Sequence, residues 1–366
     1  MIARGASLVL AVMLAASCGA TRTGAAASPS HTTATAASPS ATPLIDVNDM
    51  MGGFPPATFF VLTKDGVKAI ALLNHATRYT IPTSGTDVQV AAVSAQTGVP
   101  TTSPRVYVLD QISEGARLRW FDIDNGTERA SQIVAGASVV STGIGHGALA
   151  IDGSTGTLYA LLKDPSGKRV DQFDWFTLRR SVLPMLRGQC GERVAASSGR
   201  VAVVCMSSSK DGELRIADGT AEFKLDTNME PNSMAMLGDG TLMAGDLQGN
   251  LVRLARHQTA LEKVNTLKDY GAKLIPDGIA VNAGCCFYFG IIDPQANDVQ
   301  VRMVAGGMAL VAFPSISQPV GGLFVQAPFA YFVIAGKARH VDINQGFGEI
   351  MADFGPSALP GAVANR

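Results

Sequence analysis

Short apolar runs, separated by turns rich in Gly, Asn and Asp, follow one another along most of this 366-residue chain. Five of them share one signature: Leu149-Ala150-Ile151, Val194-Ala195-Ala196, Met234-Ala235-Met236, Ile279-Ala280-Val281 and Leu323-Phe324-Val325. Their first residues are 45, 40, 45 and 44 positions apart. Each is followed by a turn and a second apolar run, at Thr157–Leu162, Val201–Cys205, Thr241–Ala244, Cys286–Phe289 and Ala330–Ile334. Runs of this length bounded by turn residues read as strands. A repeat of about 40–50 residues built from short strands predicts an all-β fold, a single β-propeller of four-stranded blades.

The clearest unit covers residues 145–184, with strands at Leu149–Asp152, Thr157–Leu162, Val170–Phe173 and Arg179–Leu183. Later units begin near 190, 231, 276 and 320. An earlier unit fits Val90–Ser94, Arg105–Leu109, Leu118–Ile123 and Ala130–Val134, with a long loop after its first strand. Ahead of it lie Thr58–Leu62, Val67–Leu72 and Arg78–Ile81, which need an inner partner. Leu44–Val47 is one candidate. Glu349–Phe354 is the other, and it would join the two chain ends in one blade. The expected count is seven blades, with six the alternative.

The ends have a different pattern. Arg4 and the apolar run Ala6–Ala16 have the form of a signal peptide, too short to span a bilayer. The run ends in Ala15-Ala16-Ser17-Cys18, which resembles the bacterial lipobox, with Ala15 where Leu is usual. The resemblance implies cleavage of residues 1–17, acylation (palmitate) of Cys18 and an anchor on the outer face of the cell membrane. An ordinary secretory signal is the alternative, and both readings export the protein. Residues 18–43 are almost wholly Ala, Ser, Thr, Pro and Gly, and cannot bury enough apolar surface to offset ordering entropy. They read as a disordered linker. Residues 44–356 then form the propeller domain and 357–366 a C-terminal tail.

Composition changes this picture in three places. Hydrophobic residues make up 47% of the chain, enough for a large core. The net charge is −1 and there is no basic stripe, which argues against nucleic acid. Beyond Cys18 four cysteines remain, and an even number in an exported chain points to disulfides. Cys190 precedes one strand of a hairpin and Cys205 ends the next, so these two should lie opposite each other. Closing that loop is worth about 3 kcal/mol. Cys285 and Cys286 fall at the other end of a different blade, where they form a vicinal disulfide or stay as thiols.

Candidate chemistry collects where the inner strands begin. Just before the signatures stand Gln89, Gly147, Glu192, Asn232, Asp277 and Gly321. Glu192, Asn232 and Asp277 come from successive blades, and three oxygen-bearing side chains round one axis suit a hard divalent cation such as Ca²⁺. Pro231-Asn232-Ser233-Met234 and Pro276-Asp277-Gly278-Ile279-Ala280-Val281 resemble blade motifs of the NHL, strictosidine-synthase-like and SMP-30/gluconolactonase propellers. The resemblance implies that Asn232 and Asp277 hold a divalent metal, as in a metal-dependent lactonase. The opening Glu of that family has no counterpart here. The competing view makes Pro-Asn and Pro-Asp-Gly simple strand-entry turns.

Other features read as structural. Trp120 and Trp175 are placed to pack between blades. Asp122–Thr127 resembles a calcium loop for three positions only and otherwise reads as a hairpin turn. His146 flanks the mouth as a loop residue. The histidines are scattered, without metal-ligand spacing. The sequence therefore predicts a lipid-anchored, monomeric binding or scaffold module for a protein, glycan or small ligand. The alternative is an SMP-30-like hydrolase with a site at the channel mouth.

Overall fold

Seven small antiparallel sheets make up the computed structural model. It describes residues 58–364 except for 72–73, 84–85, 94–103, 143–146, 184–185, 187–190, 207–211, 265–266, 268–270, 283–285, 294, 296–297, 304–308, 314–318, 327–328, 335, 343–346 and 356–358. Blade 2 contains Thr86–Val93, Arg105–Ile112, Gly115–Asp122 and Glu128–Ala135. The inner strands of blades 3 to 7 are Leu149–Asp152, Arg193–Ser197, Ser233–Met236, Lys273–Asn282 and Pro319–Gln326. All five signatures therefore begin blades. Each inner strand neighbours the next, and the ring closes. The protein is a seven-bladed β-propeller.

Blade 1 closes the ring differently from the sequence expectation. Its inner strand is Leu359–Ala364, antiparallel to Thr58–Thr63, with Gly66–Ala71 and Thr77–Ile81 outside. The two chain ends do share a blade, but the segment read as a tail supplies the strand. Glu349–Asp353 belongs instead to the outermost strand of blade 7, Phe347–Asp353, which Phe354 directly follows. Pro360 and Gly361 weaken the apolar pattern of Leu359–Ala364, so it lacks a strand signature of its own. Leu44–Val47 lies outside the described residues.

The core consists of one apolar cluster between each pair of adjacent blades. The second strand of blade 3 shows how the sequence builds it. Leu158, Ala160 and Leu162 pack toward blade 2, while Tyr159 and Leu161 pack toward blade 4. Side chains alternate across a strand, but here both faces are buried, so the strand reads as an unbroken apolar run. Burying each large aliphatic side chain contributes about 1.5–3 kcal/mol. Trp175 and the half-buried Trp120 join the cluster between blades 2 and 3, as the packing reading expects. There the Arg105 guanidinium lies 4.6 Å from the Trp120 ring and 3.4 Å from that of Phe176.

Asp122–Thr127 is a hairpin turn: the Gly126 N–H donates to the Asp122 carbonyl at 2.8 Å. Its Asp122 carboxylate is ion-paired with Arg129.

Candidate functional site at the channel mouth

Several inner strands enter through bulged or left-handed backbone. In blade 6, five positions separate Leu274 from Ile279, while only two separate their partners Ile291 and Phe289. The surplus residues form a bulge carrying Asp277 at φ +46°, a costly conformation for a non-glycine residue. Gly278 follows because a Cβ there would come within 2.7 Å of the Gly290 carbonyl oxygen. Pro-Asp-Gly is thus a strand-entry bulge, and the bulge buries the aspartate: Asp277 is 6% exposed.

Its partner is Arg193, the first residue of the inner strand of blade 4. Arg193 Nε donates to Asp277 Oδ1 at 2.9 Å. The pair skips blade 5 and so spans the mouth between blades 4 and 6. The same guanidinium donates to the Glu192 carbonyl at 2.8 Å and to the carbonyl of Thr142, ahead of the inner strand of blade 3, at 3.0 Å. Gly147, at φ +103°, makes the space: a Cβ on it would lie 2.8 Å from Arg193 Cδ.

Glu192 and Asn232 line a common cavity of about 230 Å³ with Arg193, Glu230, Leu247 and Gln248. It lies between blades 4 and 5, on the face where the inner strands begin. The Glu192 carboxylate is ion-paired with Lys168 of blade 3. Asn232 donates its backbone N–H to the Gly245 carbonyl at 2.9 Å. Its side-chain Oδ1 is buried and has no hydrogen-bond partner among the described residues. The three candidates therefore gather round Arg193: two line the cavity with it, and Asp277 binds its guanidinium. Among the described residues no group of three His, Cys, Asp or Glu side chains is arranged to hold a metal ion.

Arg193 is the residue that the sequence reading misses. Its one signal is a charge directly abutting an apolar signature, at a position occupied by Ala148, Ser233, Gly278 and Gly322 in other blades. Two further mouth residues act as stitches. Buried Gln89 accepts a hydrogen bond from the Ala148 N–H at 3.0 Å, linking blades 2 and 3. Ser233 Oγ accepts from the Ile279 N–H at 2.8 Å, linking blades 5 and 6. His146, Cys18, Cys190 and Cys285 lie outside the described residues.

No protein-family model matches the chain, and no curated protein does. Solved structures match it in fold. A puromycin hydrolase superposes with a TM-score of 0.59 at 13% identity, over 82% of this chain and 52% of that one. A further puromycin hydrolase structure gives 0.55 at 13%, over 85% and 55%. A quinonprotein alcohol dehydrogenase-like protein from Bacteroides thetaiotaomicron gives 0.53 at 12%, over 84% and 77%. At these identities the likeness is one of fold. The chain spans about half the length of the puromycin hydrolases.

Proposed function

We propose that the protein is an exported, lipid-anchored binding module, monomeric, that takes a small hydroxyl- or amine-bearing ligand, such as a sugar unit of a glycan, in the cavity beside Arg193. The observation that carries this reading is Asn232. A buried acceptor without a donor costs free energy, and a ligand hydroxyl or ammonium would supply the donor. Glu230 and Gln248 add acceptors to the same cavity.

The resemblance to SMP-30-like lactonases supports a second reading, in which Asn232 Oδ1 and the two carboxylates bind a divalent cation for hydrolysis. That reading requires Lys168 to leave Glu192 and Arg193 to leave Asp277, since both carboxylates already have cationic partners.

Export is supported by the cysteines. We place Cys205 and Cys286 in disulfides. They pack in separate clusters, between blades 3 and 4 and between blades 6 and 7, so they are not joined to each other. The Gly191 N–H donates to the Val204 carbonyl at 3.2 Å, which brings the chain next to position 190 alongside Cys205. We assign Cys190 to Cys205 and Cys285 to Cys286.

One melting experiment tests the site. A panel of mono- and oligosaccharides, amino sugars included, is screened for a rise in Tm, with Ca²⁺ and chelator as separate arms. At least one sugar should raise Tm, and Asn232→Leu should abolish the rise. The variant should fold, because replacing an unsatisfied buried acceptor by an apolar group of similar size is close to neutral. No response to any sugar, or an equal response in the variant, overturns the sugar reading. A rise with Ca²⁺ alone supports the metal reading in its place.

A further inference from the structure

Two histidines that are distant in sequence meet at the seam where the ring closes. His75 sits in the turn between the second and third strands of blade 1, and His340 in the third strand of blade 7, Lys337–Asp342. Their rings lie 5.1 Å apart, centroid to centroid, at an interplanar angle of 66°. Two imidazoles bound to one ion at Zn–N distances of about 2.0–2.1 Å and a tetrahedral angle have centroids roughly 5 Å apart. The pair therefore has the spacing of a chelate. His75 also holds φ +59°, a left-handed backbone that non-glycine residues adopt at a cost. Its N–H donates to the Ala71 carbonyl at 2.9 Å, which fixes the turn.

We propose that His75 and His340 bind a borderline transition-metal ion of the Zn²⁺ class, which clips blade 7 to blade 1. Imidazole selects such ions over Ca²⁺ and Mg²⁺, which prefer oxygen donors. Water completes the coordination. On the other side His340 meets Phe329 at 5.2 Å and Tyr331 at 6.0 Å, so the site is walled by aromatic rings. The ion would join the first and last blades at the seam where the ring closes. Binding to the folded state alone then raises stability by mass action.

The test is calorimetric titration of the purified full-length chain with ZnCl₂, together with melting curves in Zn²⁺ and in Ca²⁺. One Zn²⁺ should bind per chain and raise Tm, while Ca²⁺ at the same concentration should not act through these histidines. His75→Asn and His340→Gln should each weaken Zn²⁺ binding at least tenfold and remove the rise in Tm. Asn is chosen at 75 because it tolerates left-handed backbone. Absence of Zn²⁺ binding, or binding that persists unchanged in both histidine variants, overturns the site and leaves an aromatic cluster at the seam.

Discussion

Arg193 and Asp277 form an ion pair whose side chains are only 13% and 7% exposed. Burying two charges is costly, and their attraction offsets that cost only while both are present. Asp277→Asn should keep the bulge, because Asn tolerates positive φ, yet leave the guanidinium uncompensated. It should destabilise the fold by about 3 kcal/mol in urea unfolding. Arg193→Met in the same chain removes the stranded charge, so the double variant should be less destabilised than the two single costs combined. Additivity within about 0.5 kcal/mol would show that the two residues are not coupled. The pair also gives Asp277, buried in the Pro-Asp-Gly bulge, its cationic partner.

At the scale of elements, the strand Leu359–Ala364 has a role out of proportion to its weak pattern. It covers the inner edge of Thr58–Thr63, whose Phe59, Phe60 and Val61 are fully buried. Without it, that edge presents unpaired backbone groups and an uncovered apolar face. Deleting residues 356–366 should lower Tm by at least about 5 °C and promote aggregation, read by circular dichroism melting and size-exclusion chromatography. An unchanged Tm in a monomeric truncated protein would show that blade 1 does not need the strand. A related economy appears in blade 3. Leu149–Asp152 covers only Thr157–Ala160 of the second strand, and the short strand Ser138–Val139 pairs with Leu162 and Lys163. The sequence pattern misses this addition because two residues carry no periodicity.

At the scale of the whole molecule, the proposed export has the widest consequences. Disulfides persist outside the cytoplasm, and an acyl chain at Cys18 would hold the propeller at the membrane on its linker. Expression in a bacterial host with labelled palmitate should give a labelled, membrane-associated protein whose non-reducing peptide map contains Cys190 linked to Cys205. Cys18→Ala should lose the label and keep the linkage. Equal labelling of both proteins rules out the anchor, and Cys190 or Cys205 found free or linked to Cys285 or Cys286 rules out the pairing.

The sequence by itself determined what depends on local order. Apolar runs such as Leu158–Leu162 are strands buried on both faces, and their regular return sets the blades, because every blade must bury the same two faces against its neighbours. The positions of Glu192, Asn232 and Asp277 at strand entries were legible for the same reason. What they touch was not. Arg193 reaches Asp277 from 84 residues away, His75 reaches His340 from the far end of the chain, and Leu359–Ala364 finds Thr58–Thr63 only when the ring is complete. Contacts across a channel or a seam follow from closing a circle of blades. That closure is a property of the whole ring, and no window of sequence contains it.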